Sequence, residues 1–329
     1  MLNVIDRSII EKIKLSQLSH LSQLKRHTLN ARIKTKLKKS EVEKNKGNQI
    51  LLTPEQTKTI LEDTLNSFHN KIIYIGNLKG GVGKTTIAYL LVSALKMLGK
   101  KICIIDLDVQ ANLTSQFIKP SEALPVFYDL IDHKKSIKEI IIPLSNYLHI
   151  IPSSLKNSLI PKALSMQSPK HHLSWFNKLC LDYLRLNYDI IVVDTPPSLS
   201  TLNSVFCLCL NSNDHVMIPV CADNFSSMGV QMFLDDIMDI RKSYAIKEDV
   251  TISIIMNRFF QTQKNNLEML LKITKKYKEL ISEVVIKDST KIKELNINKM
   301  DLSQIKSGRE VFEILSMLLQ ELNILKGTQ

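Results

Sequence analysis

The stretch Asn77-Leu78-Lys79-Gly80-Gly81-Val82-Gly83-Lys84-Thr85-Thr86 decides how this chain is read. It follows a β-branched apolar run, Lys71–Ile75 (KIIYI), and leads into a segment of helical periodicity, Thr85–Leu98. Glycines at 80, 81 and 83 let backbone N–H groups turn inward around phosphate oxygens. The helix start adds its partial positive charge, Lys84 can reach β- and γ-phosphates, and the Thr85 hydroxyl can bind Mg²⁺. Gly80, Gly81, Val82, Gly83, Lys84, Thr85 and Thr86 are therefore the candidate nucleotide-binding residues. The ordinary spacing puts a glycine where this chain has Leu78. In its place the chain carries a second lysine, Lys79.

Outward from this loop, short apolar runs alternate with helical segments. The runs are Lys101–Leu107, Leu148–Ile151, Ile190–Val193, His215–Val220 and Val250–Met256; the helical segments include His171–Leu186, Ser226–Lys242 and Lys264–Leu280. Continuous apolar strands separated by helices imply parallel strands buried on both faces. The expected fold is α/β, a doubly wound and mostly parallel sheet over residues 71–329, with a small, mainly helical N-terminal domain over residues 1–70. Ligands in such sheets sit outside the carboxyl ends of the strands. Two of those ends carry carboxylates: Ile105-Asp106-Leu107-Asp108-Val109-Gln110-Ala111-Asn112 and Val193-Asp194-Thr195-Pro196-Pro197. Mg²⁺ wants an octahedron of oxygens with one or two carboxylates. Asp194 and Thr85 suit it, with Asp106 as a supporting holder. Asp108, on the same pleat side as Asp106, is the candidate to orient an attacking water.

KGGVGKTT resembles the deviant Walker A motif of the ParA/MinD group of P-loop ATPases. The segment after Ile105 is similar to that group's DxDxQxN switch, and Asp189–Pro197 to its Walker B region; Met228-Gly229-Val230 is a weaker match to an EGL segment. The likeness covers about residues 71–325. It implies a Mg²⁺-dependent ATPase with ATP as nucleotide, a catalytic set of Lys79, Lys84 and Asp108, and Asn257 on the adenine. In the family the lysine corresponding to Lys79 reaches the partner's phosphates in an ATP-bridged homodimer. The resemblance also implies nonspecific DNA binding, here through Lys264 and Lys291, and stimulation by a ParB-like protein. Val109 and Ala111 replace the family's proline and glycine without removing a chemical group. MinD-like relatives end in a basic amphipathic membrane helix, whereas Arg309–Leu325 has the spacing of a packed core helix. No membrane role is expected.

Charge points the same way. The 329-residue chain has a net charge of +12, and residues 1–70 hold 13 basic and 7 acidic side chains. Such a balance attracts polyanions. Lys14–Leu24 reads as a short helix and turn, followed by a basic helix, Lys25–Lys36, whose Leu29 and Ile33 face one way. Lys25, His27, Thr28, Asn30 and Arg32 mostly face the other. The order resembles the winged helix-turn-helix of larger plasmid ParA proteins, which repress their own operon; a dimerisation arm is the competing reading. Five cysteines, none in a CxxC pair, fit a reduced cytoplasmic protein. No apolar run reaches the ~18 residues of a membrane span. The expectation is a nucleoid-associated partition ATPase; an ATP-switched transcriptional regulator is the first alternative and a MinD-like membrane-positioning ATPase the second.

Overall fold

The computed structural model of the chain describes residues 12–66, 70–132, 134–165, 176–198, 200–222, 226–260, 264–305 and 308–326. The first of these segments runs strand, helix, turn, helix, hairpin: β1 (Ile13–Lys14), α1 (Leu15–Ser22), α2 (Arg26–Lys36), β2 (Glu43–Lys44) and β3 (Ile50–Leu52). The strands form a three-stranded antiparallel sheet in the order β1-β3-β2. Gln23, at φ 57°, makes the turn between the helices. The hairpin closes on Asn45, whose Oδ1 accepts the N–H groups of Gly47 and Gln49, with Asn48 in the left-handed region. A third helix, α3 (Pro54–Ile60), starts as its sequence dictates: Thr53 accepts the Gln56 N–H, and Gln56 returns the bond to Thr53 N–H.

Beyond residue 70 the described residues form an eight-stranded sheet. β4 (Lys71–Ile75) leads into α4 (Lys84–Met97); then come β5 (Ile102–Asp106), β6 (Ile142–Pro143), β7 (Leu148–Ile151), β8 (Ile190–Asp194), β9 (His215–Val220), β10 (Thr251–Phe259) and β11 (Ile281–Lys287). Their order is β11-β10-β9-β4-β8-β5-β7-β6, parallel throughout except for the edge pair β6–β7. Alternate residues feed opposite faces. Ile73 and Ile75 join a core with α4 and the helix Arg309–Glu321, while Ile72 and Tyr74 join one with Phe206, Phe233 and Ile237. The doubly wound expectation holds. β11 is not among the strands expected from apolar runs, because its ISEVVIK sequence alternates buried and exposed residues as an edge strand does.

Packing runs without a break across residue 70. Leu18, Leu21, Leu29, Leu52, Ile60 and Leu65 belong to the same buried cluster as Tyr89 and Leu95 of α4 and Phe312, Leu315 and Leu319 of the last helix. Backbone bonds stitch the seam: Asn66 N–H donates to the Ile324 carbonyl at 3.0 Å and Lys326 N–H to Thr64 at 2.9 Å. Gln17 of α1 donates through Nε2 to the carbonyls of Ser303 (3.0 Å) and Ile305 (3.2 Å). The segment 296–301 in turn is strapped along α4. Asn296 donates to Thr86 Oγ1 at 3.1 Å, Tyr89 donates to the Met300 carbonyl at 2.6 Å, and Lys96 pairs with Asp301 at 2.9 Å.

Candidate active site

The loop between β4 and α4 lies at the carboxyl ends of the parallel strands. Gly81 and Gly83 have φ of +75° and +94°, a region that L side chains rarely adopt. A Cβ on Gly80 or Gly81 would meet nothing within 4 Å, so the loop's outer side is open to a ligand. At Gly83 the opposite holds: a Cβ would fall 2.1 Å from Asn257 Nδ2. Gly83→Ala is therefore expected to displace either the loop or Asn257. Titration with a fluorescent ATP analogue should show affinity down at least about tenfold, the size of a ~1.4 kcal/mol loss.

Lys84 is 7% exposed, and its Nζ donates to the carbonyls of Asn77 (3.2 Å) and Lys79 (3.1 Å). Burial pushes its pKa down, against the opposing pull of Asp194 and Asp108. Thr85 donates its hydroxyl to Asp194 Oδ2 at 2.7 Å. The other oxygen of Asp194, Oδ1, is buried without a hydrogen-bond partner. Asp194 also stands in register with Asp106 on the adjacent strand. Burial and then the Asp106 charge raise the Asp194 pKa well above the ordinary carboxylate range. A buried carboxylate with an orphaned oxygen, a threonine hydroxyl on its other oxygen and a second carboxylate alongside is the donor set a hard divalent cation fits. A cation there would relieve the repulsion between the two.

Asp106 is fully buried and fully engaged. Its Oδ1 accepts Asp108 N–H at 3.1 Å; its Oδ2 accepts both Thr114 N–H (2.8 Å) and Thr114 Oγ1–H (2.7 Å). Burial raises its pKa to about 6, with the Thr114 bonds opposing. Such a carboxylate shapes the switch segment and flanks the cation position. Asp108 is 9% exposed, and its Oδ1 accepts Gln110 N–H at 3.0 Å. The left-handed Ala111 (φ 52°) turns the chain back toward Thr114.

The structure thus gathers Lys79, Gly80 to Thr86, Asp106, Asp108 and Asp194 at one end of the sheet. Thr86, expected among the nucleotide-binding residues, carries Asn296 on its hydroxyl. Asn257, expected on the adenine, lies under the loop at 4% exposure, its Nδ2 donating to the Val82 carbonyl at 2.7 Å. Sequence reasoning missed Asn77, Thr114 and Thr195. Thr114 sits eight residues past Asp106 and carries no motif signal; Thr195, next to Asp194, donates to the Ile75 carbonyl at 2.9 Å and ties β8 to β4.

The candidate DNA residues divide. Lys25 and His27 are exposed, and Thr28 and Asn30 are half-buried. Arg32 is a correction: it turns inward, donating Nη1 to the Ile60 carbonyl (3.1 Å) and to Thr64 Oγ1 (2.8 Å), so it caps the end of α3 and does not join the outer face. That face instead holds Arg26, Ala31 and Lys34. Lys264 opens the helix Lys264–Lys276, and its side chain lies outside the described residues. Lys291 is half-buried on the helix Thr290–Ile297; Lys272, Lys275 and Lys276 are exposed.

A glycine loop closed by a lysine at a helix start, with carboxylates on two neighbouring strand ends, makes this a P-loop ATPase. A sequence family described as an AAA domain matches residues 70–252. The chain belongs to that family, in its ParA/MinD group. It is 27% identical over 229 residues to the sporulation initiation inhibitor protein Soj of Bacillus subtilis, covering 68% of this chain and 87% of that protein. It is also 27% identical to the chromosome partitioning protein ParA of Myxococcus xanthus, over 68% and 77% of the two chains. A solved plasmid partition protein from Borrelia burgdorferi is 27% identical, with a TM-score of 0.58 over 77% of this chain and 99% of that one. The Cyanothece McdA–ATP complex, at 21% identity, shares the fold with a TM-score of 0.69 over 80% of this chain and all (100%) of that one.

Proposed function

We propose that this chain is a DNA-partition ATPase: it dimerises on ATP, binds DNA without sequence preference, is stimulated by a ParB-like partner and represses its own operon through its N-terminal unit. The observation that carries the reading is the union, in one packed body, of the Lys79/Lys84 phosphate loop with a basic strand–helix–turn–helix–hairpin unit. That order is the one in which winged helix-turn-helix proteins place a recognition helix, here α2, in the major groove. Exposed Lys38, Lys39, Lys44 and Lys46, before and along the hairpin, suit the flanking phosphates.

ATP is the substrate the loop fits. Lys84 exchanges its two carbonyl partners for β- and γ-phosphate oxygens, and the glycine backbone accommodates the rest. Thr85 and Asp194 would hold Mg²⁺, which would supply charge neutralisation on the phosphates. Asp108 orients the attacking water, its carboxylate steadied by Gln110 N–H. By family resemblance Lys79 serves the second subunit's nucleotide. No helix among the described residues is long and apolar enough to cross a membrane. The helix Arg309–Glu321 buries Val311, Phe312, Leu315, Leu318 and Leu319 in the core, so this helix is not one that lies on a membrane surface.

Footprinting the region upstream of the gene tests this. Replacing Lys25 and His27 together by Glu is expected to erase the footprint while salt-dependent binding to random duplex persists. Arg32→Ala should keep the footprint's sequence preference and lower thermal stability by about 1–2 kcal/mol, as the loss of part-buried bonds to one carbonyl and one hydroxyl does. A full-length protein that leaves no upstream footprint with ATP or ADP would hand the unit to the dimerisation reading.

A further inference from the structure

Asn77 is the least exposed polar residue of the loop, at 1%, and none of the roles above uses it. Its Nδ2 donates to the Pro219 carbonyl near the end of β9 at 2.7 Å. Its Oδ1 accepts the Lys79 N–H at 2.9 Å, and its own carbonyl accepts Lys84 Nζ at 3.2 Å. Lys84 Nζ also reaches the Lys79 carbonyl at 3.1 Å. One side chain thus anchors Lys79 to the neighbouring strand from the N–H side, while Lys84 holds the carbonyl side of the same residue. The helix Ser226–Ser243 comes in over this seat through Gly229, where a Cβ would lie 3.4 Å from Asn77 Oδ1 and 3.9 Å from Lys79 Cβ. Those are ordinary van der Waals distances, so the helix closes over the seat at position 229 without the approach itself demanding a glycine.

We propose that Asn77 is the positioning residue for Lys79. Through the Pro219–Asn77–Lys79 chain of bonds, the side chain fixes the direction in which the Lys79 ammonium leaves the loop. Lys84 does not need this seat to the same degree, since it stands on the first turn of α4. Loss of Asn77 should therefore blunt the work of Lys79 while leaving nucleotide capture by Lys84 and the glycines in place. The inference rests on the reading that Lys79 acts in hydrolysis.

The test is a double-mutant cycle on the full chain with Asn77→Ala, Lys79→Ala and the double variant. ATP hydrolysis is measured with DNA present, and affinity with a fluorescent ATP analogue. Asn77→Ala is expected to lower kcat by about tenfold, the worth of one aligned hydrogen bond in the transition state. Affinity should stay within about threefold, and the double variant should be no slower than Lys79→Ala alone, since a tether has no effect once its load is gone. Asn77→Asp keeps the acceptor for Lys79 N–H but turns a carboxylate oxygen toward the Pro219 carbonyl in place of the donor, so it cuts the chain of bonds at β9. Its kcat should fall with that of Asn77→Ala even where its melting temperature stays near the parent's, which separates aiming from scaffolding should the alanine variant fold poorly; a folded Asn77→Asp variant with parental kcat overturns the Pro219 anchor. Multiplicative losses in the double variant, or kcat in all variants tracking melting temperature, overturn the proposal. If Lys79→Ala hydrolyses ATP at the parental rate, the reading of Lys79 itself fails, and the role of Asn77 falls with it.

Discussion

Lys84→Ala is expected to abolish nucleotide binding, with affinity down at least about a hundredfold, because an ammonium that would make two charge-assisted bonds worth ~1.5–3 kcal/mol each is gone. The buried carboxylates Asp194 and Asp108, whose charges act on Lys84, would also lose that opposing charge. Asp108→Ala should behave otherwise. Its carboxylate contacts only the switch backbone in the described structure, so ATP should still bind within a few-fold while hydrolysis falls by about 10²–10⁴, the range for losing a positioned base or water-orienting group. Equilibrium titration and single-turnover hydrolysis on the two variants decide the matter. Equal loss of ATP binding in both would refute the assigned roles.

The second large effect is on stability. Lys96 and Asp301 form an ion pair whose side chains are 8% and 4% exposed, and Asp301 Oδ1 also accepts Ser303 N–H. Lys96→Met removes one partner and leaves a buried carboxylate uncompensated, for which about 3–5 kcal/mol is the usual cost. Replacing both residues by apolar ones of similar volume should recover most of it. The sign of the pH dependence follows. Burial by itself would raise the Asp301 pKa, but Lys96 and the Ser303 donors outweigh it and hold the value below the ordinary carboxylate range. The pair's contribution is then fully present above the unfolded value of ~3.9 and drains away as pH falls through the lower folded value. The stability gap between the parent and the Lys96→Met variant should therefore be widest near neutral pH and narrow as pH falls, as followed by denaturant unfolding with circular dichroism at several pH values.

Much of the sheet was legible because parallel strands buried on both faces must be continuous apolar runs. Lys71–Ile75, Leu148–Ile151 and His215–Val220 coincide with β4, β7 and β9 to the residue. β11 escaped because an edge strand needs only one apolar face, and Ile281–Lys287 shows just that alternation. In the site, residues whose chemistry depends on spacing along the chain were readable: Lys84 and Thr85 after the glycines, and Asp106 and Asp194 at strand ends. Those defined by meeting across the fold were not. Asn77 and Thr114 take their roles from Pro219 and Asp106, partners 142 and 8 residues away. Arg32 was misplaced for a related reason. Helical periodicity says which side of α2 is apolar, but not that α3 ends beneath its flank with the Ile60 carbonyl and Thr64 hydroxyl placed to receive a guanidinium.

The stitching of the first segment onto the last helix also constrains how the chain comes to be folded on the ribosome. α1 lies along the helix Arg309–Glu321, Leu65 bridges Leu325, and Asn66 waits for the Ile324 carbonyl. Translation proceeds at ~5–20 residues per second. For roughly 15–60 s, then, Leu18, Leu21 and Leu65 exist without the surface that covers them. Nascent α1 and α2 are exposed to chaperones over that interval, and the N-terminal unit reaches its final packing only after the C-terminal helix has left the exit tunnel. A ribosome stalled before residue 309 would display the basic helix on an unfinished core, so pulse proteolysis of stalled chains should cut within residues 12–66 until the last helix emerges.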